Sequence, residues 1–235
     1  MNELTKRTTL SEIAYVAIRQ QIITGRLAPS SKLVVVALAS GLDLSPTPIN
    51  EALAALERER LVTYLPHRGY FVSSVTPENV EEVYTVREVF ELLTVRLATE
   101  NADRATIAQL RSVLEQTRLS VRAGDTSRFS DLDLEFHQVV WNSARNALAA
   151  RIGDLIGGQI RLLVATAART PGRFRGAYEE HCVIYKAIKN RDASEAVRTM
   201  RQHIRAAKAA LSRALSAGHD AAEKPSTASA PSRKS

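Results

Sequence analysis

The chain has one cysteine, Cys182, so no intrachain disulfide can staple the fold and nothing points to an oxidising compartment. No stretch of 18 consecutive apolar residues occurs, which argues against a membrane-spanning helix. Lys6 and Arg7 are not followed by the apolar segment of a secretory signal. A cytoplasmic location is therefore expected. There is no internal repeat. Local charge is also scarce where it would be most informative. The whole chain carries a formal +7, yet residues 1–76 hold eight basic against six acidic side chains, a net of +2. A basic balance favours a polyanionic partner only in general terms, so local pattern has to carry any argument for one.

What is present suffices for real cores: 45% of the 235 residues are hydrophobic, enough for one large domain or two smaller ones. Ile13, Val16, Ala17, Ile18 and Ile22 recur at helical spacing between Leu10 and Thr24, before Gly25 and Pro29. A short helix is expected over Val34–Ser40, ended by Gly41. Ser45 suits an N-cap and Pro46 the first helical position. Ile49, Leu53 and Leu56 then form the buried stripe of a helix reaching about Arg60. The period changes at Leu61–Leu65, which reads as a strand, followed by a turn at Pro66-His67-Arg68-Gly69 and a returning strand Tyr70–Val72. Three helices and a two-stranded hairpin make a winged helix-turn-helix over residues 1–74.

From Pro77 onward the pattern is helical. Segments near 77–100, 103–123, 125–142, 145–168, 174–190 and 192–216 are separated by Asn101-Ala102-Asp103, Gly124-Asp125-Thr126, Asn142-Ser143, Pro171-Gly172 and Asn190-Arg191-Asp192. Short connections predict an antiparallel all-α bundle over residues 75–217. Residues 218–235 are rich in Ala, Ser, Pro and Lys without a large apolar side chain, and a disordered tail is expected there. The fold class is thus mostly α, a winged head followed by a helical bundle.

The second helix of a helix-turn-helix enters the major groove, so its exposed N-terminal face must offer hydrogen-bonding groups. Ser45 and Thr47, with the first amides of that helix, suit phosphate, and Asn50 suits adenine. Arg68 at the wing tip can reach a minor groove or a phosphate, and Gly69 permits a tight turn and close backbone approach. Taken singly, Thr47, Asn50 and Arg68 are equally ordinary surface residues. Three blocks in order change that: Ile22 to Pro29 with Leu33, Ser45 to Leu53 with Leu56, and His67 to Val72. Together they resemble the GntR family of bacterial regulators over Ile13–Val72. The chain departs from the family at Pro46 and Asn50, where arginines that contact the operator are usual, and at Ser30, where glycine is usual.

The bundle holds His137, His181 and His203 on three different expected helices. Asp133 precedes His137 by four residues and shares its helical face. Leu132, Phe136 and Val140 turn that face inward, and apolar positions flank the other two histidines. Inward carboxylates and imidazoles are costly unless paired or metallated, and three His with one Asp suit zinc, nickel or manganese. Spacing does not establish that they converge, and on periodicity alone packed core or surface histidines with a capping aspartate are the favoured reading.

Residues from Pro77 to Leu211 resemble the ligand-binding FCD domain of the FadR-type branch of GntR regulators. The resemblance is carried by Tyr84 to Glu91, Asp133-Leu134-Glu135-Phe136-His137, Asn146, His181 with Ala187 to Asp192, and Met200 with His203-Ile204. It implies one divalent metal ion held by Asp133, His137, His181 and His203 at the floor of an effector pocket. Six bundle helices fit the VanR-like subgroup better than the fatty-acyl-CoA responder. The branch implies a small organic acid as effector, with Arg87 as a cationic contact and Arg161 as a weaker one. Arg87 equally suits a salt bridge to Glu91, and Asn146 suits a helix start. Two-fold operator geometry and the resemblance imply a homodimer on double-stranded DNA. The alternatives are a regulator for which the ion itself is the signal, and a metalloenzyme. Glu135, the nearest spare carboxylate, points away from Asp133 and His137, leaving an enzyme without a general base.

Overall fold

The computed structural model describes residues 8–167, 170 and 172–223. The first helix, α1 (Leu10–Ile23), opens on a capping box: the Thr9 hydroxyl accepts from the Glu12 amide while the Glu12 carboxylate accepts from the Thr9 amide. Two further helices follow, α2 (Val35–Leu42) and α3 (Pro46–Arg58). Gly41, expected to end α2, lies inside it. Asp43 ends the helix instead in the left-handed conformation, with φ 54°, which a short polar side chain tolerates. Ser45 takes the N-cap position of α3 with extended backbone, but its hydroxyl makes no capping hydrogen bond.

The wing is a three-stranded antiparallel sheet, in the order β1 (Lys32–Leu33), β3 (Gly69–Val72), β2 (Val62–Leu65). The expected hairpin is β2 and β3, with Tyr64 opposite Tyr70. The additional strand β1 is too short to show alternation in the sequence. The hairpin closes with the Arg68 amide donating to the Leu65 carbonyl at 3.0 Å, and His67 and Gly69 at φ 61° and 91°. Ile18, Ile49, Leu53, Leu56 and Leu61 form the head's fully buried centre. Each contributes about 1.5–3 kcal/mol of apolar burial.

The remainder is helical: α4 (Pro77–Asn101), α5 (Arg104–Ala123), α6 (Thr126–Ser143), α7 (Ala147–Ala167), α8 (Arg173–Lys189) and α9 (Ala193–Glu223). Three of the breaks read from the sequence hold helix caps, whereas Asn142 and Ser143 lie in the last turn of α6 and Asn146 caps the next helix. Asp103, Asp125, Asn146 and Asp192 each accept a main-chain N–H from the following turn. Helix α9 continues to Glu223, into the stretch expected to be a disordered tail, whose residues 224–235 lie outside those described. Helix α4 lies along α9, α5 against α6 and α8 against α9. Between them sits a core built on Leu110, Leu132, Phe136, Ile184, Met200 and Leu211. A second cluster holds Phe90, Phe129, Trp141 and Ile160. The connection between the parts is anchored, since Val75 packs against both the head core and the bundle core. No described helix is long and apolar enough to cross a membrane.

Candidate metal centre

Helix α6 carries Asp133 and His137 one turn apart, and both are buried, as are Leu132, Phe136 and Val140 beside them. Helices α8 and α9 bring His181 and His203 to the same point. One ligand atom from each of these four residues lies within 4.8 Å of the others. His203 Nε2 is 3.2 Å from His137 Nε2 and 3.3 Å from His181 Nε2, and His181 Nε2 is 3.8 Å from Asp133 Oδ1. The Phe136 ring stacks on His181 at 4.2 Å and fixes its plane.

The protons on these rings follow from what stands behind them. The Glu180 carboxylate lies 2.7 Å from His203 Nδ1 and can only accept, so that nitrogen carries the hydrogen and Nε2 of a neutral ring presents a lone pair. Arg87 has only donors, and its Nη2 lies 3.0 Å from His137 Nε2, so that nitrogen too presents a lone pair. Glu91 Oε1, 2.8 Å from His137 Nδ1, is close but poorly aligned for a linear hydrogen bond. It favours the proton there electrostatically. The two Nε2 atoms, 3.2 Å apart, are thus both acceptor nitrogens with no proton between them, and the His137 lone pair is taken by Arg87, which an ion bound there would displace. A carboxylate on the far ring nitrogen, as Glu180 is on His203, is what metal-ligating histidines ordinarily have.

The donor set fits a divalent ion. Nitrogens roughly 2.05 Å from one tetrahedral ion stand about 3.3 Å apart. Asp133 Oδ2 and His181 Nδ1 are buried without a hydrogen-bond partner. Burial, then the neighbouring histidines, hold His181 and His203 well below the ordinary histidine range, so both rings are neutral as ligands require. Burial pushes Asp133 up, against the pull of His137 and Arg87. Burial acts to raise Glu91 as well, but His137, Arg87 and Trp141 outweigh it and hold that carboxyl low.

Arg87 is wholly buried. It pairs with Glu91 at 3.3 Å while its Nη1 has no partner and lines a cavity of about 10 Å³ with Tyr84, Phe129, Asp133, Arg173 and His203. Arg161 is not part of this site: it lies between the bundle and the head, 3.6 Å from both Glu59 and Asp131, which corrects its assignment as an effector contact. Asn146 caps α7, as its helix-start reading required. Sequence reasoning missed Glu180 and Arg173, which meet through two parallel bonds of 2.9 Å, and Trp141, whose Nε1 donates to Glu91 Oε2 at 3.0 Å. Glu180 adjoins His181 in the chain, but it serves His203 on another helix, so adjacency was a misleading signal.

In the head, Ser45, Thr47 and Asn50 are exposed while Ile49, Leu53 and Leu56 face inward. The Asn50 amide is turned back, its Nδ2 donating to the Pro46 carbonyl at 3.1 Å. Arg68 is exposed at the wing tip beside Gly69, its guanidinium 5.5 Å from the Phe71 ring centre.

Comparison with known proteins adds a second line. The family model described as bacterial regulatory proteins, gntR family, matches residues 10–72, and the FCD domain matches residues 82–206. An uncharacterized HTH-type transcriptional regulator in an unstable DNA locus of Streptomyces ambofaciens is 31% identical over 212 residues, 88% of this chain and 86% of that protein. The gluconate operon transcriptional repressor of Bacillus licheniformis is 27% identical over 194 residues, 79% of this chain and 78% of the repressor. Among solved structures, E. coli McbR/YncC superposes with a TM-score of 0.73 at 21% identity, covering 87% of this chain and 98% of the other. A GntR regulator from Rhodococcus sp. RHA1 superposes with a TM-score of 0.72 at 22% identity, covering 86% and 97%.

Proposed function

This chain belongs to the GntR family of bacterial transcriptional regulators and carries an FCD domain, and from that premise we propose that a small organic acid, docked at a metal ion in the bundle, controls the head's affinity for operator DNA. A regulator, not an enzyme, is what the family and the relatives make it. The observation that carries the finer reading is the buried convergence of Asp133, His137, His181 and His203, one ligand atom of each within 4.8 Å of the others. Asp133, His137, His181 and His203 hold the ion, with zinc the leading choice and nickel or manganese compatible. The ion supplies a Lewis-acidic docking point. Arg87 adds a guanidinium at the same cavity, with Nη1 free for a carboxylate. A cavity of about 10 Å³ holds no more than a water, so an acid enters only if lining side chains such as Arg173 move aside. That tightness favours one second reading, in which the ion alone is the signal.

On DNA, α3 enters the major groove with Ser45 and Thr47 toward phosphate and Asn50 toward a base, and Arg68 and Gly69 approach the backbone from the wing. Recognition of adenine by Asn50 requires its amide to leave the Pro46 carbonyl. The protein acts as a homodimer, for which α4 leaves Val86, Val89 and Leu93 exposed at helical spacing. The six helices α4–α9 are consistent with the VanR-like subgroup.

The test is fluorescence anisotropy on a palindromic fragment from upstream of the chain's own gene, with zinc and a panel of carboxylic acids. Sugar acids belong in that panel because a gluconate operon repressor is among the relatives. An acid that shifts operator affinity at least about fivefold, and only in metal-loaded protein, supports the reading. A shift with zinc alone that no acid alters favours the ion as signal. Equal affinity under all conditions counts against both.

A further inference from the structure

The head and the bundle meet across a small cluster of screened charges. On α1, Arg19 donates to Asp131 of α6 at 2.5 Å, and Gln20 donates to Ser127 of α6 at 2.6 Å. On α7, Arg161 lies 3.6 Å from Asp131 and 3.6 Å from Glu59, the residue that ends α3. Tyr15 of α1 completes the group, donating to Glu59 at 2.6 Å. Two arginines and two carboxylates leave no net charge, and the exposures of Arg19 and Arg161 are only 11% and 17%.

Two features distinguish this contact from an ordinary surface ion pair. First, it is held at contact distance by apolar packing. Leu162 of α7 is part of the head's own core, and Gly158 sits so close beneath Glu59 that an added Cβ would lie 2.1 Å from the Glu59 carbonyl oxygen. Second, its polar groups are incompletely satisfied: Arg19 Nε, Arg161 Nε and Glu59 Oε2 are buried without hydrogen-bond partners. Buried charges left short of partners are costly, so the arrangement is sensitive to small displacements. The position of Asp131 supplies the link to the bundle site. It precedes Asp133 by two residues on α6, and two residues turn a helix by about 200°. One rigid helix thus carries a member of the metal cluster on one face and the anchor for α1 on the other.

We propose that Arg19, Asp131, Arg161 and Glu59 form a latch that transmits the state of the bundle site to the DNA-binding head, with α6 as the lever between them. The proposal rests on reading the bundle cluster as a metal site. A shift of α6 that re-seats Asp133 also moves Asp131, and with it Arg19 and the helix α1, which packs directly against α3. Arg161 is a positioning residue here, keeping Asp131 and Glu59 on opposite sides of one cation.

Hydrogen exchange on the full chain, with and without zinc as the probe, tests this, with zinc content measured on the same samples. In the native chain zinc should slow exchange both in α6 and in α1, each at least about threefold. Asp131→Asn and Arg161→Met should each bind zinc as the native chain does and keep the α6 protection. Both should lose the α1 response. Two variants from different helices guard against one failing to fold. An α1 response that survives in either folded variant, or zinc binding that protects α6 in the native chain without reaching α1, overturns the latch and leaves the metal site standing. No zinc uptake by the native chain overturns the metal reading and the latch with it.

Discussion

His137 and His203 point their Nε2 atoms at each other across 3.2 Å, from helices 66 residues apart in sequence, and each ring has a carboxylate 2.7 or 2.8 Å from its far nitrogen. The carboxylates decide how well the pair can serve as ligands. Glu180→Gln removes the charge behind His203 while keeping the side chain's shape, and it also releases Arg173. Metal affinity should fall about 10- to 100-fold with little loss of helicity. A competition titration against a fluorescent zinc chelator measures this, and an unchanged affinity would remove Glu180 from the centre.

Metal should stabilise the bundle by linkage. At a free zinc concentration about a hundred times the dissociation constant, the gain is about 2.7 kcal/mol. For a chain of this length that raises the melting temperature by roughly 5–10 °C. His203→Ala should abolish the increment. A rise of equal size in that variant would place the ion elsewhere.

Acid should weaken the metal-free bundle. In the unfolded chain the histidines titrate near 6.5, as free histidine does, whereas burial and neighbouring histidines hold His181 and His203 well below that value in the fold. Below about pH 6.5 the unfolded state takes up protons that the folded state refuses. The stability these groups give is full above that pH and falls as pH drops toward their folded values. Asp133, raised by burial, acts in the opposite sense, so the variant comparison matters. Urea midpoints at pH 7.5 and 5.5 should differ in the native chain and differ less in His181→Phe, where His203 alone keeps the effect; a native midpoint that rises on acidification would contradict the assignment.

How much of this was legible in the sequence differs from element to element. The helix breaks were legible because Asp103, Asp125 and Asp192 are local caps that work the same way in any tertiary setting. Asp133 and His137 were legible as a pair because one turn of helix fixes their relation. The convergence of His181 and His203 on that pair depends on how α6, α8 and α9 pack, which no local period encodes. Arg161 was misplaced for the same reason. Its chemistry suits an anion, but α7 turns it toward Glu59 and Asp131, away from the cavity. Strand β1 was missed because Lys32 and Leu33 become a strand only by pairing with Phe71 and Tyr70.

The wing gives a prediction independent of the bundle. Arg68→Ala should weaken operator binding about equally on all sequences and reduce the salt slope by roughly one, as loss of one phosphate contact does. Asn50→Ala should instead relax preference at a single base position by about 1–3 kcal/mol. Anisotropy titrations at several salt concentrations, on the palindrome and on single-base variants, separate the two. A slope unchanged in Arg68→Ala would take that residue off the backbone.

Gly158 gives a steric test of the contact between head and bundle. Alanine there would put a methyl group 2.1 Å from the Glu59 carbonyl oxygen, a main-chain atom that cannot swing away. Gly158→Ala should cost about 1–3 kcal/mol of stability or force the head off the bundle. Chemical denaturation with small-angle scattering distinguishes the two outcomes. A variant with native stability and native dimensions would show that the head does not rest on α7 in solution.

The central claim, that Asp133, His137, His181 and His203 hold an ion, is tested most directly by elemental analysis of protein purified without chelator or nickel resin. About one divalent ion per chain is predicted for the native sequence, with near-complete loss in a His137→Ala protein whose head remains folded. Less than about 0.1 ion per chain, with no uptake of zinc, nickel or manganese at neutral pH, would contradict it.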